Sequence, residues 1–163
     1  NPAVYGRGTK KDRLFQNQHD ANWVDEGIPG AGHILVFNNN TGLGGIARVG
    51  SGGAAAAAAQ QQLKGISNVH EILPTAANGR YVRGKGGAFE AKQIWFWEHK
   101  DFFAPFQGGA RRLPNGNTLL TDTVGRRVWE VAPDGDVVVR YKGPAPAFKA
   151  FKYSAEQVAK LLE

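Results

Sequence analysis

Val128-Trp129-Glu130-Val131-Ala132-Pro133-Asp134-Gly135 runs as valine, glutamate two residues on, an aliphatic residue, proline and a turn pair. The same pattern stands earlier as Val69-His70-Glu71-Ile72-Leu73-Pro74, with Asn78-Gly79 as its turn pair. Short β-branched and aromatic runs bounded by turn formers read as strands. The match continues outward. Gly32-His33-Ile34-Leu35-Val36 faces Gly116-Asn117-Thr118-Leu119-Leu120. Upstream of these, Gln18-His19-Asp20-Ala21-Asn22-Trp23-Val24 faces Gln107-Gly108-Gly109-Ala110-Arg111-Arg112-Leu113. Downstream, Gln93 to Glu98 and Val137 to Tyr141 close the units.

Each unit therefore reads as four short strands in up-and-down order, with Asn115-Gly116 and Asp134-Gly135 supplying positive φ at hairpins. Tandem four-stranded units of roughly 40 residues are the signature of β-propeller blades. The expected fold is all-β: two blades of an incomplete propeller over residues 1–142, with a Gly/Ala/Gln-rich insertion at 42–65. That insertion reads as a low-complexity loop, although Ala54 to Leu63 has good helix propensity. Residues 143–163 read as a Pro-containing linker and a short helix. Ser154-Ala155-Glu156-Gln157 matches a capping box, and Val158, Leu161 and Leu162 share a helical face expected to dock.

The chain has 163 residues, no cysteine and no methionine, so disulfides and thiolate metal sites are excluded. A net charge of +6 favours anionic partners. The basic residues are dispersed in pairs, Arg111-Arg112 and Arg126-Arg127 among them, which does not suggest nucleic acid. No apolar run reaches membrane-spanning length, so no transmembrane segment is expected.

Of the four histidines, His19 departs from its own repeat, where the counterpart is Gly108. A residue that the repeated fold does not require is a better candidate for chemistry than one that follows the repeat. His33 reads as a turn residue, His70 as packed or cross-strand, and His99 as solvated. Their spacing gives no zinc signature, and Gly84-x-Gly86 lacks the helix that dinucleotide binding needs, so no metal or cofactor is expected. Asn39-Asn40-Thr41 is a glycosylation sequon. The aromatic run Trp95-Phe96-Trp97 reads as packing between units rather than as a ligand groove.

Several longer stretches resemble the arylsulfotransferases. They are Asn1-Pro2-Ala3-Val4-Tyr5-Gly6-Arg7-Gly8-Thr9, Gln18-His19-Asp20-Ala21, residues 29–39, Gly109 to Leu120 and Gly125 to Gly135. The resemblance implies a six-bladed propeller that moves a sulfuryl group from an aryl sulfate to a phenol through a sulfohistidine. His19, in the Gln-His-x-Ala segment, is the position matching the nucleophile. Asn22 and Arg111 are the candidates for holding the sulfuryl oxygens. Phe106-Gln107 stands where relatives often carry a further histidine. Relatives are commonly exported, which implies an exported, periplasmic or lumenal setting.

Two functions follow as expectations. One is a propeller fragment that serves as a structural or accessory subunit, its blade faces covered by other chains or by the missing blades. The alternative is an active sulfotransferase taking an aryl sulfate at His19.

Overall fold

The computed structural model describes residues 14–40, 65–84 and 87–163. The amino-terminal stretch of the family resemblance and nearly all of the Gly/Ala/Gln-rich insertion lie outside them. The described strands form two open antiparallel sheets of four strands each, neither closed into a barrel. The first sheet contains β1 (Gln18–Trp23), β2 (Ile34–Asn38), β3 (Asn68–Pro74) and β6 (Ala91–Glu98), in that order. Between β3 and β6 an excursion carries the two-residue strands β4 (Ala76–Ala77) and β5 (Arg80–Tyr81). The second sheet is a meander of β7 (Gly109–Arg112), β8 (Thr118–Asp122), β9 (Arg127–Val131) and β10 (Val137–Lys142). The matched stretches β3 and β9 are each the third strand of their unit.

The hairpin turns explain the register. Leu113-Pro114-Asn115-Gly116-Asn117 and Ala132-Pro133-Asp134-Gly135-Asp136 are built alike. In each, the first residue accepts from the glycine N–H and donates to the fifth residue's carbonyl. The Asn115 or Asp134 side chain accepts from the backbone N–H two residues on, at 3.1 Å in both. Only the glycine takes positive φ, 86° at Gly116 and 98° at Gly135. These are three-residue loops ending in a bulge glycine. Asn78-Gly79 differs, with both residues at positive φ, as a two-residue loop needs.

One core joins the sheets. Leu35, Phe37, Val69 and Trp97 from the first meet Ala110, Leu120, Trp129 and Val131 from the second. Phe102, in the link between the sheets, is fully buried against Phe37, Trp97 and Trp129. The aromatic run on β6 divides by strand alternation. Trp95 and Trp97 face the second sheet and donate their indole N–H groups to Pro133 O and Gly135 O, each at 3.0 Å. Phe96 points away and is exposed. The packing expected of this run therefore holds for its two tryptophans.

Close approach of the sheets requires two glycines. A methyl on Gly108, at φ +91°, would lie 2.7 Å from Thr121 O and 2.8 Å from the Phe37 ring. A methyl on Gly109 would run into the Asp20 carboxylate. Across the same seam Glu71, buried on β3, pairs with Arg112 on β7 and accepts from His33 at 2.6 Å. His33 is thus part of an inter-sheet ion cluster and more than a turn residue. Burial lowers the Arg112 pKa from its ordinary value, and the Glu71 charge opposes that change.

The carboxy-terminal tail crosses the outer face of the second sheet. Lys149 Nζ reaches Asp20 at 2.5 Å, and the Ala150 N–H donates to Thr121 Oγ1 at 3.0 Å. Phe151 lies under the Arg111 guanidinium at 4.8 Å, and Lys152 Nζ reaches Glu130 at 2.6 Å. The helix follows as α1 (Ala155–Leu161), with both arms of the Ser154/Gln157 capping box made. Its apolar face does not dock, contrary to expectation: Val158, Leu161 and Leu162 are 42%, 71% and 83% exposed. Its support is local: the reciprocal cap starts the helix and the Glu156–Lys160 pair spans its turn.

Candidate functional site

His19 sits on β1, half-buried, opposite Phe37 on β2. Its Nδ1 is 2.5 Å from Asn39 Oδ1. Asn39 is fully buried, and its side-chain nitrogen donates to Ala104 O and Gln107 O, each at 2.7 Å. Two carbonyl acceptors can be served only by the amide nitrogen, so the oxygen must face His19. His19 Nδ1 is therefore the donor, and in the neutral ring Nε2 carries the lone pair. Ser67 completes the support by donating to Asn39 O at 3.0 Å. The burial of Asn39 also closes the sequon, because its amide is already bonded inside the fold.

The neighbours of His19 link the sheets. Asp20, at φ 47°, breaks the β1–β2 register as part of a bulge. Its Oδ2 accepts from the Ala110 N–H at 3.2 Å, while Oδ1 takes Lys149 from the tail. Asn22 donates to Ala110 O at 2.9 Å and to Asp20 O at 3.2 Å. Both backbone groups of Ala110 on β7 are thus held by side chains from β1. Arg111, the counterpart of Asn22 in the sequence repeat, lies on the outer face of its sheet over Phe151, and its Nε is buried without a hydrogen-bond partner in the described structure.

The three candidates are therefore placed differently. His19 and Asn22 are on the inner seam between β1 and β7, whereas Arg111 faces the tail. The sequence singled out His19 but not Asn39, which orients it, nor Asp20 and Lys149, which close the seam beside it. Asp20 lies within the Gln-His-Asp-Ala stretch that carried the resemblance, so its role was within reach. The Asn39 role depends on carbonyls more than 60 residues away, 65 for Ala104 and 68 for Gln107, and leaves no local pattern.

On the opposite face of the first sheet, a polar ladder runs across β2, β3 and β6, where Gln93 Oε1 lies 2.8 Å from His70 Nδ1. The Gln16 N–H donates to Asn38, Asn38 donates to Asn68 at 2.9 Å, and Asn68 Oδ1 also lies 2.9 Å from His70 Nε2. Phe15 and Phe96 pack on the His70 ring at 5.0 and 5.1 Å. Burial lowers the His70 pKa from 6.5, against smaller raising contributions from Gln93 and Glu98. No group of three or more His, Cys, Asp or Glu side chains is arranged to hold a metal ion among the described residues. Nor is any helix among them long and apolar enough to cross a membrane. Comparison with known proteins finds no matching family model, curated protein or solved structure.

Proposed function

We propose that this chain is a pair of arylsulfotransferase-type propeller blades acting as a structural or accessory module of a larger assembly. The observation that carries this reading is the use made of the candidate substrate-binding side chains. Asn22 is committed to Ala110 O, and Arg111 lies over Phe151 of the tail, so neither presents its polar group as an open anion cradle. The two meanders supply a second support, since each blade of a propeller buries its faces against its neighbours. Trp23, Ile94 and Phe96 remain exposed on the first sheet, as a face that meets another surface would have them. Light scattering on the isolated chain tests this: self-association, or capture of a covering partner, is expected. A stable monomer that unfolds in one cooperative transition without a partner defeats it.

A second reading is favoured by one observation, the fixed tautomer of His19. Asn39 leaves Nε2 with its lone pair, which is what a sulfuryl acceptor requires. In that reaction Nε2 attacks sulfur, the N–S bond forms as the aryl S–O bond breaks, and the phenolate leaves. A phenol acceptor then takes the group from nitrogen and gives up its proton. Incubation with an aryl sulfate alone, followed by peptide mass spectrometry, separates the two readings. A sulfuryl adduct on His19 that His19→Ala abolishes, with the far-ultraviolet spectrum unchanged, establishes transfer. The structural reading expects none.

A further inference from the structure

Register places Arg140 and Lys142 on β10 opposite Trp129 and Arg127 on β9. Residues two apart share a strand face, so these four form one block in which cations surround an indole. Trp129 belongs to the core, and the block marks the mouth of the seam between the sheets. A cleft of about 450 Å³ opens there, lined by these four residues with Tyr141 and Asp101. Arg127 is held by Asp122 at 2.6 Å. Arg140 and Lys142 have no carboxylate partner among the described residues.

His99 packs behind two of these lining residues, edge-on to Trp129 at 5.1 Å and beside Arg140, and is stacked on Trp97 at 6.2 Å. It is not the solvated strand end that the sequence suggested, for its side chain is only 25% exposed. The Asp101 N–H donates to its Nδ1 at 3.1 Å. A neutral imidazole has a single accepting nitrogen. Nε2 in turn lies 3.1 Å from Arg140 Nη2, which carries only protons. Both ring nitrogens thus face N–H donors, and since only one can accept, the other contact sets two N–H groups against each other. The Asp101 carboxylate is on the other side of the ring, 3.8 Å from Nδ1.

We propose that this cleft binds a tetrahedral oxyanion of the sulfate or phosphate class between His99 and Arg140. An anionic oxygen accepts from both donors at once and removes their conflict, and Lys142 adds a second positive charge. The donors are held in place beforehand. Arg140 lies over the Trp129 ring at 4.3 Å, and two indoles fix the His99 plane. Preorganised donors make a weak anion site stronger because little freedom is lost on binding. The proposal shares no residue with the surroundings of His19 and stands or falls separately from the function proposed above.

The test follows the His99 imidazole by long-range proton–nitrogen NMR while inorganic sulfate, inorganic phosphate or chloride is added to the full chain at constant ionic strength. Sulfate or phosphate is expected to shift Nε2 along a saturating curve, whichever binds tighter naming the preferred anion. Chloride is expected to give none. Arg140→Gln should weaken the affinity about tenfold or more, as loss of one charge-assisted hydrogen bond implies. His99→Phe keeps the ring packing and removes the donor. In that variant the Arg140 side-chain signal should lose its saturating response. Unchanged His70 resonances certify the fold of each variant. Equal saturation by chloride, shifts without saturation for both oxyanions, or affinity unaltered in both variants overturns the proposal.

Discussion

Which nitrogen of an imidazole carries the proton is decided by its neighbours, and the histidines of this protein are treated differently. Asn39 fixes His19, whereas His70 faces the Asn68 and Gln93 oxygens at its two nitrogens and His99 faces N–H donors at both. The sequence made His19 visible because its repeat partner is Gly108, but the structure adds that Gly108 is itself required, by Phe37 and Thr121. Asn39 was not legible as the residue that orients His19, since its own anchors are 65 and 68 residues away. His70 gives a test at this scale. Folding lowers its pKa below 6.5, so as pH falls the unfolded chain takes the proton first. The stability it contributes is full above about pH 6.5 and is lost on acidification through the folded-state value. Urea titrations at several pH values should show that slope, and His70→Gln should flatten it. A slope unchanged by the substitution rules out His70 as its source.

Elements were read best where local chemistry decides them. Capping box, Pro-Asx-Gly turns and strand patterns are all short-range, and the strands and helix lie where those signals put them. The helix face was misread because amphipathic spacing states what could pack, not whether a surface comes near. Since α1 buries no residue, Ser154→Ala should cost the helix about 1 kcal/mol and fray it, while global unfolding stays within roughly 0.5 kcal/mol. Amide exchange over 155–161 against the urea midpoint checks this, and a large drop in the midpoint counts against an undocked helix. The tail offers a second test. Burial alone would raise the Glu130 pKa, but hydrogen bonds from Lys152, Asn117 and Asn115 together bring it below 4.5. Its stabilising share is therefore present above about pH 4.5 and lost as pH falls through the folded value. Protection of the Ala150 amide should decline over that range, and Lys152→Met should remove the dependence.

For the whole molecule, the architecture was legible as a repeat, whereas the fastening of its two halves was not. Glu71 lies on the third strand of its unit and Arg112 on the first strand of the other, and nothing in either stretch says that they meet across the seam, 41 residues apart. Their side chains are 7% and 6% exposed, so removing one strands the other's charge in the interior. Arg112→Met should cost about 3–5 kcal/mol, and Arg112→Met with Glu71→Leu should recover much of it. Denaturant melts of the two variants check this, and a single substitution as mild as the double one denies the bridge its role. The tail has a consequence of another kind. Asp20 and Lys149 are 129 residues apart. A ribosome adding about 5–20 residues per second needs roughly 6 to 26 seconds to cover that interval. During that time the aspartate beside His19 has been made without its lysine, and the second sheet, whose last strand ends at Lys142, has its outer face bare until the tail follows. Nascent chains are thus open on that side for longer than most strand pairing takes, which is a window for a chaperone or a companion subunit to arrive first.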